Sequence, residues 1–381
     1  MLQMKTPRTY FNEYNLLASA GEIIAKLSRR VILITGNKAL TAVQSTLLPS
    51  LSASGIEYQI EFYSGKTTLN DIRSYLVKTI DYKATAVVGI GGGKVMDLVK
   101  AVAEDAKLPV ITIPTIASNC ASWTSLTVLY DEDGRHLDYR RLDAAPNLIL
   151  ADATILLSAP KRYIAAGMGD TIAKWLEAYN FFSDNYASVN EQLGVLLAKK
   201  ASDIIKTYYS KVYDIAGHAQ ADGKGPDFFI EVLDAVFFLA GLIGSLRGGK
   251  HVAAYIHPLN DTFTLFPQVQ VKTHGEVVAF ANAVQLVLFR QSDQEIEKLL
   301  QFNQALSLPI SLYDLGFSGS PEVAAHKIAN AFDFDELEDD TTPYSVDSSK
   351  LKAALLKTHY LGIALTEKKY NPITVSDKKL I

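Results

Sequence analysis

Cysteine is nearly absent from this 381-residue chain: Cys120 stands alone, so no intrachain disulfide can form. A lone thiol fits a reducing compartment and sets the expectation of a cytoplasmic protein. No apolar leader is visible either, since the opening MLQMKTPRTYFNEYN is mixed and polar, unlike a secretory signal. Nor does any segment approach about 18 uninterrupted apolar residues, which argues against a membrane span. Positive charge is not in excess. Lys and Arg total 37 against 41 Asp and Glu, a net charge of −4, so neither nucleic acid nor an anionic bilayer finds an electrostatic hold. Internal repeats and low-complexity tracts are missing. What is present is hydrophobic residue in quantity, 48% of the chain, enough for a large core. The length exceeds what one compact core usually takes and points to two domains.

The first 150 residues alternate in character. RVILIT (30–35), EYQIEFY (57–63), ATAVVGI (84–90), LPVITIPT (108–115) and PNLILA (146–151) are short apolar or β-branched runs. Between the first four lie segments of helical period at 37–51, 68–80 and 95–106. Strand and helix in alternation predict parallel strands joined by right-handed crossovers. SLTVLYDEDGRHLDYRR (125–141) interrupts this rhythm and reads as a β-hairpin around Asp133-Gly134. Beyond about residue 155 the apolar spacing becomes three and four. The predicted fold is therefore an N-terminal doubly wound, Rossmann-like α/β domain with a hairpin insertion over 1–158, then an all-α domain over 159–381. The acidic stretch DFDELEDDTTP (333–343) reads as a solvated loop.

Four stretches carry candidate chemistry. GIGGGKVMD (89–97) follows a buried strand and opens a helix. Gly91, Gly92 and Gly93 let a ligand approach the backbone, and the free N–H groups of the helix start favour an anion such as a pyrophosphate. The pattern is not GxGxxG, so a tight turn without a ligand stays open. PTIASNCASWTSL (114–126) offers the hydroxyls of Thr115, Ser118, Ser122, Thr124 and Ser125, either to a ligand or to its own backbone. In GMGDTIAKW (167–175), Asp170 sits at an apparent helix start, as an N-cap or as a metal ligand. Lys174 follows one turn later on the same face. Two of the seven histidines, His257 and His274, flank a 17-residue interval. With an aspartate they would make a His₂Asp set for a divalent metal with a position open to substrate.

GIGGGKVMD, PTIAS, GMGDTIAKWLEA, His257 and HGEVVAFA (274–281) follow one another as they do in the glycerol dehydrogenase branch of the metal-dependent, iron-type alcohol dehydrogenases, which the chain resembles over roughly residues 10–365. The resemblance implies an enzyme that uses NAD or NADP and one divalent metal, zinc being the first candidate. It implies cofactor contacts from Gly92, Gly93, Lys94, Val95, Met96 and Asp97 to the pyrophosphate and neighbouring groups. Thr115, Ile116 and Ser118 would touch the same cofactor, and Thr124, Leu126 and Tyr130 would border its nicotinamide half. Asp170, His257 and His274 fall on the family's metal-ligand positions. The ion would act as a Lewis acid on the substrate oxygen. The family also self-associates, so a homo-oligomer acting on a small-molecule substrate is expected.

The departures are informative. Cys120 stands where glycerol dehydrogenases have an aspartate that contacts the polyol, and a thiol is a poor substitute for that acceptor. SNCASWTSL and the AKW at 173–175 are instead similar to hydroxycarboxylate dehydrogenase A-like proteins, which reduce 2-oxo acids. Lys174 would then bind a substrate carboxylate, unless it pairs with Asp170 or Glu177. Asn260 replaces a second family histidine near His257, and His251 is a rival ligand. Gly36-Asn37 replaces a Gly-Asp pair, so Asn37 would not repel a 2′-phosphate and NADP stays open beside NAD. Glycerol dehydrogenase proper, a dehydroquinate-synthase-like lyase and a non-catalytic nucleotide-binding relative are the alternative functions.

Overall fold

The β-branched runs do form strands, and their burial explains why. In the computed structural model, which describes residues 4–63, 65, 67–178, 188–218, 223–246, 254–334 and 345–370, the chain opens with β1 (Thr9–Glu13), a 3-10 turn (Leu16–Ser19) and α1 (Ala20–Ala25). Then come β2 (Arg30–Thr35), α2 (Asn37–Ala53), β3 (Glu57–Phe62), α3 (Leu69–Asp81), β4 (Ala86–Gly91), α4 (Gly93–Ala106) and β5 (Val110–Pro114). The hairpin β6 (Leu126–Tyr130) and β7 (His136–Arg141) precedes β8 (Leu148–Asp152). Six strands make one parallel sheet in the order β1-β8-β5-β4-β2-β3, and β6-β7 is a separate antiparallel pair.

Side chains on a strand alternate between faces, and both faces of β2 are covered. Val31 and Leu33 join a cluster with Leu17, Ile24, Val43 and Leu47. Ile32 and Ile34 join Ile72, Leu98, Val99 and Val102 in a second cluster. A strand covered on both sides reads as a continuous apolar run, as RVILIT does.

After β8 the described residues hold helices and no further strand. These are α5 (Ala153–Ser158), α6 (Lys161–Ala178), α7 (Val189–Ile215), α8 (Asp227–Asp234), a π-helical turn (Ala235–Leu239) and α9 (Ala240–Leu246). Next come α10 (Ile256–Thr264), α11 (His274–Leu288), α12 (Asp293–Ala305), α13 (Pro321–Ala331) and α14 (Ser348–Tyr370). The change of character near residue 158 marks the end of the strands. Compact packing instead divides the chain into Met1–Val252 and Ala253–Ile381.

The helices up to α9 belong with the sheet because polar and aromatic contacts bind them to it. Tyr10 Oη and Asn12 Nδ2 donate to Asp234 Oδ1 at 2.9 and 2.8 Å. Trp123 packs edge-on to Tyr10 and against Phe238. The run Asp227–Leu246 is long and apolar enough to cross a membrane by composition, yet two thirds of it is buried inside the protein. The second unit has its own core, in which Ala283, Ile296, Leu300, Ile310 and Leu365 meet.

Candidate active site

Chain connections leave β2 and β4, which are neighbours, in opposite directions: β2 leads to β3 on one side and β4 to β5 on the other. At such a switch point the carboxyl ends of two strands open a crevice that suits a ligand. Here those ends carry Gly36-Asn37 and the glycine stretch. Asn37, exposed at the first turn of α2, stands at the first of them.

Gly92 caps α4 without any side-chain bond, so the first N–H groups of that helix lack an intrahelical acceptor. Side chains are sterically excluded from this corner. A Cβ on Gly92 would sit 2.6 Å from Ile116 Cδ1, and one on Gly93 would sit 2.8 Å from Asn119 Nδ2. Thr115 N donates to Gly91 O at 3.0 Å. The loop after β5 therefore packs directly on the glycine stretch, with Thr115 at Gly91, Ile116 at Gly92 and Asn119 at Gly93; Ser118 on the same loop is buried. Lys94 stands on the solvent side with its ammonium over the Tyr130 ring at 5.1 Å. Crowding by protein lowers its pKa from the usual lysine value. Val95 and Met96 are buried in the core beside Ile32 and Ile34, which leaves only their backbones to face a ligand.

One organising residue escaped the sequence reading. Lys100 lies fully buried on α4 and pairs with Asp97 Oδ1 at 2.9 Å. Its ammonium also donates to Ala121 O at 2.8 Å, Thr124 O at 3.2 Å, Thr124 Oγ1 at 3.1 Å and Leu126 O. The signal was available: a lysine three residues after an aspartate on an otherwise apolar helix face. Thr124 and Leu126 thus turn their carbonyls to Lys100, and Asp97 turns its carboxylate there.

Asp170 is not at a helix start. It lies buried in the interior of α6, which begins nine residues earlier at Lys161. Gly167 sits inside this helix for a packing reason: a Cβ there would fall under 3.0 Å from Ala117 O. The close approach sets α6 against the loop after β5. Cys120 on that loop is in the field of both Lys174 and Asp170. Burial pushes its thiol up to about 11, against a smaller downward pull from Lys174.

His257 and His274 are the second residue of α10 and the first of α11, with ring centroids 5.5 Å apart and planes at 35°. Each helix start is fixed independently. Thr273 N and Oγ1 donate to Glu276 Oε2 at 2.6 and 2.9 Å, a capping box that orients the turn carrying His274. Tyr255 N donates to Gln285 Oε1 at 2.9 Å, tying the approach to α10 onto α11. Pro258 falls in the first turn of α10, where its missing N–H is harmless. Asn260 is buried and donates to Asp261 Oδ1 at 3.0 Å. The rival ligand His251 lies outside the described residues.

Asp170 in the first unit offers a buried carboxylate, and His257 and His274 in the second unit offer two neighbouring imidazoles. A divalent ion about 2.1 Å from each ligand wants neighbouring ligand atoms roughly 3 to 4 Å apart. One carboxylate and two imidazoles are donor types that suit such an ion.

The chain is similar to known proteins in sequence and fold. The iron-containing alcohol dehydrogenase family matches residues 7–153. Hydroxycarboxylate dehydrogenase A of Escherichia coli is 30% identical over 287 residues, covering 75% of this chain and 77% of that protein. Glycolaldehyde reductase of Halobacterium salinarum is 27% identical over 363 residues, 94% of this chain and 97% of that protein. The crystal structure of glycerol dehydrogenase from Schizosaccharomyces pombe superposes with a TM-score of 0.84 at 22% identity, over 98% of this chain and 94% of that one.

Proposed function

Because this chain belongs to the iron-containing alcohol dehydrogenase family, we propose that it interconverts a small 2-hydroxy acid and its 2-oxo acid. A polyol is the second choice of substrate. NAD or NADP would serve as hydride carrier, and a divalent ion, zinc first among the candidates, would sit on Asp170, His257 and His274. The coarser statement stands by itself: the protein is an NAD(P)-linked oxidoreductase acting between an alcohol and its carbonyl. The observation that carries the reading is the pairing of the His257 and His274 rings, with centroids 5.5 Å apart. Two imidazoles and one carboxylate suit zinc and leave a coordination position for substrate.

When bound, the ion supplies a Lewis acid toward the substrate oxygen and the dinucleotide supplies the hydride acceptor or donor. The chain's own groups do the rest. The bare amides at the start of α4 hold the pyrophosphate, helped by the helix dipole and by Lys94. The Thr115 and Ser118 hydroxyls bind beside them. Asn37 meets the adenosine end without a negative charge, which admits either cofactor. Thr124, Leu126 and Tyr130 border the nicotinamide.

The acid substrate is favoured by charge. Cys120, uncharged because its pKa is raised to about 11, does not repel a carboxylate as an aspartate would. Lys174 beside it attracts one. We further place the protein in the cytoplasm as a homo-oligomer acting on small molecules, with neither nucleic acid nor membrane as partner.

The test is a panel of 2-oxo acids, diols and aldehydes with NADH and NADPH, with and without added zinc. Metal-dependent turnover, fastest with a 2-oxo acid, is expected. Equal turnover after exhaustive chelation would sink the metal site, and preference for glycerol would sink the acid reading. Redox-neutral turnover, with no net change in cofactor, would point to a lyase.

A further inference from the structure

A lysine ammonium inside a protein core needs a reason, because an apolar side chain of similar size often stabilises as well or better. Lys100 has one in its partners. Its side chain is 1% exposed. An ammonium has three protons, yet five oxygens surround it: Asp97 Oδ1, Thr124 Oγ1 and the carbonyls of Ala121, Thr124 and Leu126. Three of the five are backbone oxygens from one six-residue segment, 121–126. Other contacts hold the segment as well: Thr112 Oγ1 donates to Ser122 O at 3.0 Å, and Trp123 packs against Tyr10 and Phe238. Ala121 N donates to Asn119 Oδ1 at 3.1 Å, Trp123 N to Cys120 O at 2.9 Å, and Leu142 N to Ser125 O at 3.0 Å. The ammonium is the hub on which three of its carbonyls converge.

The position of this hub along α4 matters. Gly93 starts the helix and Lys100 lies seven residues on, a rise of about 10 Å. The loop after β5 touches α4 at both places. Its near end packs on the glycines through Ile116 and Asn119. Its far end is held by Lys100, and Thr127 Oγ1 adds a bond to Asp97 O at 3.0 Å. One helix therefore fixes the two ends of one loop by different means, apolar packing near the pyrophosphate position and a buried charge farther along.

We propose that Lys100 is the positioning residue for the nicotinamide end of the dinucleotide, acting through the shape it imposes on segment 121–126. The inference rests on the dehydrogenase reading above. Lys100 does not touch the cofactor; it holds the wall against which the ring lies. The pyrophosphate end, set by the glycines, is independent of it.

The experiment compares wild-type protein, Asp97→Asn, Lys100→Met and the double variant Asp97→Asn/Lys100→Met, all metal-loaded. Two ligands are titrated: ADP-ribose, which lacks the nicotinamide, and the intact reduced dinucleotide, NADH or NADPH, that the wild type binds. Thermal melting is followed in parallel. Lys100→Met removes the Asp97 ion pair and the bonds to the loop carbonyls, and is expected to melt lower. The double variant removes both charges of the pair and is expected to recover part of that loss.

If Lys100 positions the ring end, the double variant still binds the dinucleotide about tenfold or more weakly than Asp97→Asn, while ADP-ribose affinity changes by about twofold or less. A merely structural lysine would give no such split. Parallel loss of both ligands, or recovery of both in the double variant, overturns the proposal. A wild-type chain that binds no dinucleotide at all overturns the dehydrogenase reading and this inference with it.

Discussion

Replacing Gly167 by alanine sets two effects of known sign against each other. On propensity alone alanine stabilises a helix interior by about 1 kcal/mol over glycine. Packing opposes it. The added Cβ would lie under 3.0 Å from Ala117 O, 3.0 Å from Ala117 C and 3.1 Å from Val236 Cγ1. The first obstacle is backbone, in a loop already pinned by Ile116 against Gly92 and by the Lys100 contacts, so it cannot swing aside as a side-chain end would. Relief needs a shift of roughly an ångström between α6 and the loop. Overpacking of this kind costs about 1 to 3 kcal/mol and sometimes more. The upper end applies here, and the net expectation is a loss of about 2 kcal/mol. For a unit of this size that lowers Tm by about 4 to 8 °C.

Function should suffer more than stability. Asp170 is three residues along the same helix, and an ångström of misplacement costs a catalytic site on the order of a hundredfold. Scanning fluorimetry, bound-metal content and kcat/KM measure the three effects. Gly194→Ala on α7 is the control, because a Cβ there meets no described atom within 4 Å; it should hold or gain about 1 kcal/mol. A Gly167→Ala protein that melts no lower than wild type and keeps its kcat/KM would refute the packing argument.

Other outcomes follow from the same geometry. His257→Ala and His274→Ala each leave two protein ligands and should lose bound divalent metal on mild dialysis, read by elemental analysis, with turnover falling at least about a hundredfold. Lys174→Met should raise KM for a 2-oxo acid by about tenfold and leave a neutral ketone nearly unchanged; equal losses on both would dispose of the carboxylate contact. His359, buried in the second unit, accepts from Leu312 N at 3.3 Å, and burial lowers its pKa from the ordinary 6.5. The folded state therefore favours the neutral ring, so its contribution to stability is full above 6.5 and is lost as pH falls through the lowered folded value. The melting temperature should drop between pH 7 and 5, and His359→Gln should flatten that drop; an unchanged slope contradicts the assignment.

Much of the architecture could be read from the string because the central strands are buried on both faces and spell themselves as apolar runs. The hairpin β6-β7 was likewise announced by Asp133-Gly134. β1 was invisible for the opposite reason. TYFNE is polar and half-exposed, and it is a strand only because β8, 139 residues later, pairs with it. Asp170 was misplaced within α6 because an aspartate is a common N-cap, and the packing of Gly167 on Ala117 O, which lets the helix run through this stretch, is not visible in the string. Lys100 was passed over because a lone lysine on an apolar helix announces burial only once the loop carbonyls around it are known. The glycine stretch and the histidine pair were legible because their chemistry is local. The capping box that orients His274 was equally local, as T-x-x-E at 273–276.

The pairing of β1 bears on how the chain is made. The first strand to leave the ribosome waits for the sixth member of its sheet, and at about 5 to 20 residues per second that delay runs from several seconds to half a minute. Even then its Tyr10 and Asn12 lack the Asp234 carboxylate, which is translated more than 200 residues after them. A nascent chain halted soon after β8 would hold every strand of the sheet with one border unsealed. The last helices of the first unit thus act as its closure, and completion of the dinucleotide fold is postponed until they emerge.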